Sequence, residues 1–178
     1  SVPRKAYDGI EALDGKIYFV GGKDGVGAKN IAERYDPATN QWEALNPLSV
    51  AREGLSATVL NGKLYAIGGA GLSSVEIFDP KTGQWSAGTA LPATLRNAAA
   101  ITVNGKILLM AGQDANNQEI TQVLEYDPDA DQWSQKTPMN TARHGMTLAL
   151  FEGKVWVIGG YDGVEFDTVE IYDPVADS

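Results

Sequence analysis

A β-propeller built from four-stranded antiparallel blades accounts for three features of this 178-residue chain at once. A block of about 45 residues is written four times, in the length range of propeller and solenoid repeats. Each block holds short strand-like runs with no intervening helix, and each carries the same turn and aromatic residues at fixed offsets. The turn glycines Gly15, Gly62, Gly105 and Gly153 are 47, 43 and 48 residues apart, and Trp42, Trp85 and Trp133 are 43 and 48 apart. A repeated sandwich or barrel would supply the strands, but it has no need of the same Trp and Gly pair in every copy. The chain therefore reads as one all-β domain over 1–178, with repeats at about 4–48, 49–92, 93–139 and 140–178.

The first strand of a blade is a short apolar or small-residue run, "LSATVL", "NAAAITV" or "GMTLALF". Each stops at Asn-Gly or Glu-Gly, and Asp-Gly closes the first copy. Such pairs tolerate the positive φ that a type I′ turn needs at both central residues, so the following run, as in "KLYAIGG", folds back antiparallel as strand two. Strand two ends 6 residues after the turn glycine on a Gly pair, Gly21-Gly22, Gly68-Gly69 and Gly159-Gly160, with Ala111-Gly112 in the third copy. Missing side chains there suit the close approach of a neighbouring backbone or a sharp exit near an axis. Strand three, as in "SVEIFDP", alternates apolar and polar residues until Asp-Pro removes a ladder donor and starts a turn. Strand four carries the Trp, always 7 residues after the Tyr or Phe, and its ring is expected to be a wedge buried between adjacent sheets. The gap from the Gly pair to that aromatic varies (13, 9, 14 and 12), which marks 23–30, 70–74, 113–120 and 161–167 as adaptable loops on a fixed frame.

Composition narrows the function classes. A formal charge of −9, with "RK" at Arg4 and Lys5 the longest basic cluster, disfavours nucleic acid as a partner. No window approaches eighteen uninterrupted apolar residues and the N-terminal "SVPRKAYDGI" has no apolar h-region, so neither a membrane span nor a signal peptide is expected. Zero cysteines remove disulfides, thiolate catalysis and Cys-based zinc sites, and leave the compartment open.

Taken together, the Arg before strand one, the Gly-Lys turn, the Gly pair, Tyr-Asp-Pro and the Trp resemble Kelch repeats, from Arg4 to Pro174. The resemblance implies a propeller, usually of six blades. Here there are four copies, the fourth stops at "YDPVADS" before any Trp, and three residues precede Arg4. A partial ring is therefore expected, closed either compactly or by association of the open apolar blade faces with a second copy.

Arg4, Arg52, Arg96 and Arg143 recur just before strand one. They either brace neighbouring loops through backbone carbonyls or, as guanidinium forks at the mouth of the channel, receive a carboxylate. His144, the one histidine, sits in "TARHGM" with no spacing that marks a triad or metal set around it. Asp36, Asp79, Asp127 and Asp173 are spread one per blade and suit turn capping better than calcium. No catalytic residue, metal site or cofactor is therefore assigned. With no Cys and one His, the copper chemistry of galactose-oxidase-like Kelch enzymes is excluded.

In the fourth repeat "GGYDGVEFDTVEIYDP" is similar to repeats of Kelch substrate adaptors of ubiquitin ligases. That resemblance assigns peptide contact to Tyr161 and Phe166. The other copies carry Lys23, Ala70 and Gln113 in place of the Tyr. The candidate binding set is thus Arg52, Arg96, Arg143, His144, Tyr161 and Phe166, on a non-catalytic module for a protein or peptide, acidic for preference. The alternative is an anionic-sugar-binding or carbohydrate-active protein resembling Kelch-type sialic-acid mutarotases, using an Arg and a carboxylate such as Arg52 and Glu53.

Overall fold

A computed structural model describes residues 8–178. Arg4 lies outside the described residues, so its expected role is not addressed. Blade one is β1 (Gly9–Leu13), β2 (Lys16–Val20), β3 (Ala32–Asp36) and β4 (Gln41–Ala44). Blade two is β5 (Ser56–Leu60), β6 (Lys63–Ile67), β7 (Val75–Asp79) and β8 (Gln84–Gly88). Blade three is β9 (Ala99–Val103), β10 (Lys106–Met110), β11 (Val123–Asp127) and β12 (Gln132–Lys136). Blade four has three strands among the described residues, β13 (Thr147–Phe151), β14 (Lys154–Ile158) and β15 (Val169–Tyr172). Every sheet is an antiparallel meander in sequence order. No helix of the described residues is long and apolar enough to cross a membrane.

The turn chemistry dictates these sheets. Asp14-Gly15, Asn61-Gly62, Asn104-Gly105 and Glu152-Gly153 all hold positive φ at both residues, between 50° and 74°, as the two-residue hairpin requires. At the other end each Asp of Asp-Pro caps its turn by accepting the N–H two residues on, as Asp79 does from Lys81 at 2.9 Å. Each also pairs with the Lys of its own Gly-Lys turn: Lys16–Asp36 at 2.8 Å, Lys63–Asp79 at 3.4 Å, Lys106–Asp127 at 2.9 Å and Lys154–Asp173 at 3.4 Å.

The blades stack through their innermost strands, β1 beside β5, β5 beside β9, and β9 beside β13. Three apolar layers fill the gaps. Leu13, Tyr18 and Val20 of blade one meet Leu64, Ala66 and Phe78 of blade two. Leu60, Tyr65 and Ile67 meet Ile107, Leu109 and Tyr126. Val103, Leu108 and Met110 meet Val155, Val157 and Tyr172. The second residue of the Gly pair donates its N–H to the next blade's entry loop: Gly22 to Arg52 O at 2.8 Å, Gly69 to Leu95 O at 2.9 Å, Gly112 to Arg143 O at 2.8 Å. A Cβ at Gly68 would lie 2.5 Å from Leu95 O, which is why a side chain is missing there.

The expectation of three buried Trp wedges needs correction. Trp85 and Trp133 are partly buried against the preceding blade, and their indole N–H groups donate to Asn46 O at 2.8 Å and Thr89 O at 2.9 Å. Trp42 is 54% exposed. Its ring stacks within its own blade, 4.8 Å from Phe19 and 5.1 Å from Tyr35, because no preceding blade lies against it among the described residues. The Trp is a bracket onto the blade before it, and burial depends on that blade being there.

Candidate functional site

In blades two, three and four the loop before the innermost strand and the loop after the Gly pair or its equivalent come together on one face, because backbone hydrogen bonds tie them. His144 and Tyr161 exchange N–H···O bonds at 3.0 and 2.9 Å, Arg96 and Gln113 at 3.1 and 2.8 Å, and Ala70 N donates to Glu53 O at 2.8 Å. The variable loops of blades one, three and four are themselves small hairpins, bridged at Lys23–Ala28, Gln113–Glu119 and Tyr161–Glu165.

Beneath this face two of the recurring arginines are each held by an acid and by backbone carbonyls. Arg52 is wholly buried, donating from Nη1 to Gly68 O and Ser74 O (2.8 Å each), and from Nη2 to Ser74 Oγ (2.9 Å) and Glu76 (3.0 Å). Burial alone would push the Glu76 carboxyl up, but the Ser49 N–H and the Arg52 guanidinium outweigh it and hold it below the usual range. Arg143 is also buried, donating to Gly159 O at 2.8 Å and Glu170 at 2.7 Å, with Phe166 stacked 4.6 Å from its guanidinium. These two fill the bracing role, and neither presents its fork to a ligand.

Arg96 differs. The acids that hold the other two stand at the second position of β7 and β15; the same position of β11 is Leu124. The acid of that strand is one residue on, at Glu125, where alternation turns it to the other side of the sheet and Lys106 takes it at 3.0 Å. Arg96 therefore has no carboxylate, and its side chain makes no hydrogen bond or ion pair among the described residues; its Nε is shielded without a partner, as is that of Arg143. It lines a cavity of about 210 Å³ with Asp8, Lys23, Glu53, Gly54, Ala70 and Asn97. Asp8 there is taken by the Gly54 N–H at 2.6 Å, and Glu53 lies 3.8 Å from Lys23. A second cavity of about 420 Å³ shares Asp8, Gly54 and Asn97 and continues to His144 and Met146 of blade four.

A polar chain crosses the rim. Asn97 Nδ2 donates to Gln113 Oε1 and Gln113 Nε2 donates to Glu119 Oε1, both at 2.9 Å. His144 Nδ1 approaches the same carboxylate oxygen at 3.2 Å, without the alignment of a full hydrogen bond. Glu119 is held below the usual carboxylate range first by its own backbone N–H, then by Gln113. Tyr161 stands edge-on to His144, with ring centroids 5.5 Å apart, and is exposed.

Of the sequence candidates, then, Arg96, His144 and Tyr161 face the mouth or its rim, and Phe166 packs beneath them on Arg143. The pairing of Arg52 with Glu53 does not form; Glu53 faces Lys23 in the cavity that Arg96 lines. Asn97 is not among the sequence candidates, and Gln113 and Glu119 enter only as members of the adaptable loop 113–120. A further signal was present for Asn97 and Gln113. The residue after each recurring Arg (Glu53, Asn97, His144) and the residue after each Gly pair or its equivalent (Lys23, Ala70, Gln113, Tyr161) stand at or beside the mouth and change from copy to copy.

The family model described as the KLHDC2/KLHL20/DRC7 Kelch-repeats domain matches residues 9–178. Kelch-like protein 35 of Mus musculus is 44% identical over 64 residues, covering 36% of this chain and 11% of the relative. Kelch-like protein 26 of Danio rerio is 42% identical over 76 residues, covering 38% and 13%. Kelch repeat and BTB domain-containing protein 12 of Danio rerio is 31% identical over 80 residues, covering 40% and 13%. The chain thus corresponds to a small part of each of these relatives. A solved structure described as "Structure of YjhT" superposes with a TM-score of 0.80 at 18% identity, covering 96% of this chain and 64% of that one.

Proposed function

Because this chain belongs to the Kelch-repeat family, we propose that it is a non-catalytic binding module that takes a protein or peptide segment at the mouth formed by the loop face. The observation that carries this reading is the guanidinium of Arg96, which alone of the three described entry-loop arginines has no acid to hold it and lines an open cavity. An Arg fork without a partner suits the carboxylate of an Asp or Glu side chain or of a chain terminus. Tyr161 and His144 supply an exposed aromatic edge beside it, and Lys23 adds a second cation across the cavity. The segment is therefore an acidic one with an apolar or aromatic neighbour, bound on loops held still by the blades.

A peptide library panned on the chain, followed by titration of the selected sequences, tests this. Arg96→Ala should weaken selected acidic peptides at least about tenfold, as loss of one charge-assisted hydrogen-bond pair does, and Tyr161→Ala should weaken them further. Selection of peptides without acidic residues, or full affinity in both variants, contradicts the reading. One observation favours a second reading: Arg96 and Glu53 line the same 210 Å³ cavity, a size that admits one anionic sugar. Under that reading sialic acid titrates the chain by NMR, its anomers interconvert above background, and Arg96→Ala abolishes both.

A further inference from the structure

We propose, resting on the reading of Arg96 as a carboxylate anchor, that the bound segment leaves the mouth over blade two, as an extended chain in a notch between the loops of blades one and three. The same backbone hydrogen bond closes the variable loop of every blade. The carbonyl of the second residue of the Gly pair or its equivalent accepts the N–H of Lys29 at 2.8 Å, Leu72 at 3.0 Å, Ile120 at 3.0 Å and Phe166 at 2.9 Å. That bond encloses residues 23–28 in blade one, 113–119 in blade three and 161–165 in blade four, but only Ala70 and Gly71 in blade two.

Two enclosed residues leave room for a single turn. Gly69 to Leu72 is a four-residue β-turn, and Gly71, at φ 72°, supplies the left-handed residue in its third place. The turn is tied flat to the molecule. Ala70 donates its N–H to Glu53 O at 2.8 Å, Leu72 O and Ser73 O accept the N–H groups of Leu95 at 3.3 Å and Leu91 at 2.8 Å, and Ser74 Oγ accepts from Arg52. On either side the rim stands up. Loop one is stiffened by Asp24, which accepts the Val26 N–H and pairs with Lys29 at 2.9 Å, and Val26 at its tip is 91% exposed. Loop three is stiffened by Asp114, which accepts the N–H groups of Asn116 at 2.8 Å and Gln118 at 2.9 Å.

The notch opens on the anchor. The 210 Å³ cavity takes Lys23 from blade one, Ala70 from blade two and Arg96 from blade three, so it lies over blade two with Ala70 as its wall on the notch side. Inward it continues into the 420 Å³ cavity beside Leu55, His144 and Met146. A segment whose acidic side chain sits on Arg96 therefore has one flank in the inner cavity. Its other flank passes over Ala70 and Gly71, where no side chain larger than a methyl group stands in the way. The partner class that fits is a linear segment with an internal acidic residue and small or polar residues on the notch side.

NMR titration of the amide-labelled chain at millimolar ligand, with two probes carrying the same carboxylate, tests this. The short probe is acetyl-Glu-amide, and the long probe is acetyl-(Gly-Ser)2-Glu-(Gly-Ser)2-amide, which must leave the anchor on both sides whatever its chain direction. Inserting Asn-Gly-Val-Gly between Gly71 and Leu72 gives blade two an enclosed loop as long as that of blade one. In the parent both probes are expected to shift the amides of Gly54 and Asn97, and the long probe alone to shift those of Gly71 and Leu72. The insertion should leave the short probe within about twofold of its parent Kd and weaken the long probe at least about fivefold. Retained binding of the short probe shows that the mouth of the variant is folded; if the insertion does not fold, the Gly71 and Leu72 shifts of the parent decide. Absence of those shifts, or equal binding of the long probe by the parent and the folded insertion variant, overturns the notch and leaves the reading of Arg96 standing. Failure of both probes to bind the parent, or full binding by Arg96→Ala, overturns the anchor and this inference with it.

Discussion

At the scale of single residues, identical slots in the repeat are distinguished by what stands opposite them. Arg52 and Arg143 are held by Glu76 and Glu170, and such buried pairs position rather than simply stabilise, since desolvation consumes much of the attraction. Replacing the acid by Leu124 in blade three leaves the arginine in place and changes its availability. Glu11 shows a second local effect. It lies on the face of β1 that turns toward β5, with Gly9 and Leu13, and burial pushes its carboxyl up to about 7, against a smaller opposing pull from the Ala12 backbone. A raised carboxyl favours folding below the unfolded value of 4.5, and that contribution is lost as pH rises toward 7. Glu11→Gln should therefore be more stable than the parent at pH 8, by about 1 to 2 kcal/mol after allowing for its partial exposure, and indistinguishable from it near pH 4. Urea midpoints at the two values measure this; equal midpoints at pH 8 contradict the assigned burial.

At the scale of elements, the frame was legible and its ends were not. The 6-residue and 7-residue offsets placed strands two and four, and Asn-Gly, Asp-Gly and Glu-Gly placed every first hairpin, because turn geometry is a local property of two residues. The burial of the Trp is not local. Trp85 and Trp133 have carbonyls of a preceding blade to reach, and Trp42, identical in its own strand, has none among the described residues. Truncation should follow that difference. Trp85→Ala and Trp133→Ala are expected to cost about 2 to 4 kcal/mol, whereas Trp42→Ala should cost less than about 1 kcal/mol. Equal losses at all three positions, by denaturant unfolding, would show that the ring contributes through its own blade rather than through its neighbour. The site was legible to the same extent as the frame. Arg96, His144 and Tyr161 stand at repeat positions that the motif marks, but the freedom of Arg96 depends on which face of β11 carries the acid, and the Asn97–Gln113–Glu119–His144 chain joins residues of two blades.

At the scale of the whole molecule, repetition supplies rigidity and departures from it supply a candidate site. Four blades built alike hold the variable loops at fixed separations, and two cavities at the mouth are lined by residues from successive blades. Among the described residues, one of three equivalent arginines is released by its strand. Arginine side-chain NMR measures this without any ligand, through the exchange of each Nε–H with water and the rotation of each guanidinium. Arg52 and Arg143 are expected to exchange slowly and rotate slowly, whereas Arg96 should show a freely rotating guanidinium. Leu124→Glu should convert Arg96 to the behaviour of the other two and weaken any acidic peptide bound at the mouth. An Arg96 already as restrained as Arg52 in the parent chain, or one unchanged by Leu124→Glu, would show that Leu124 does not free it.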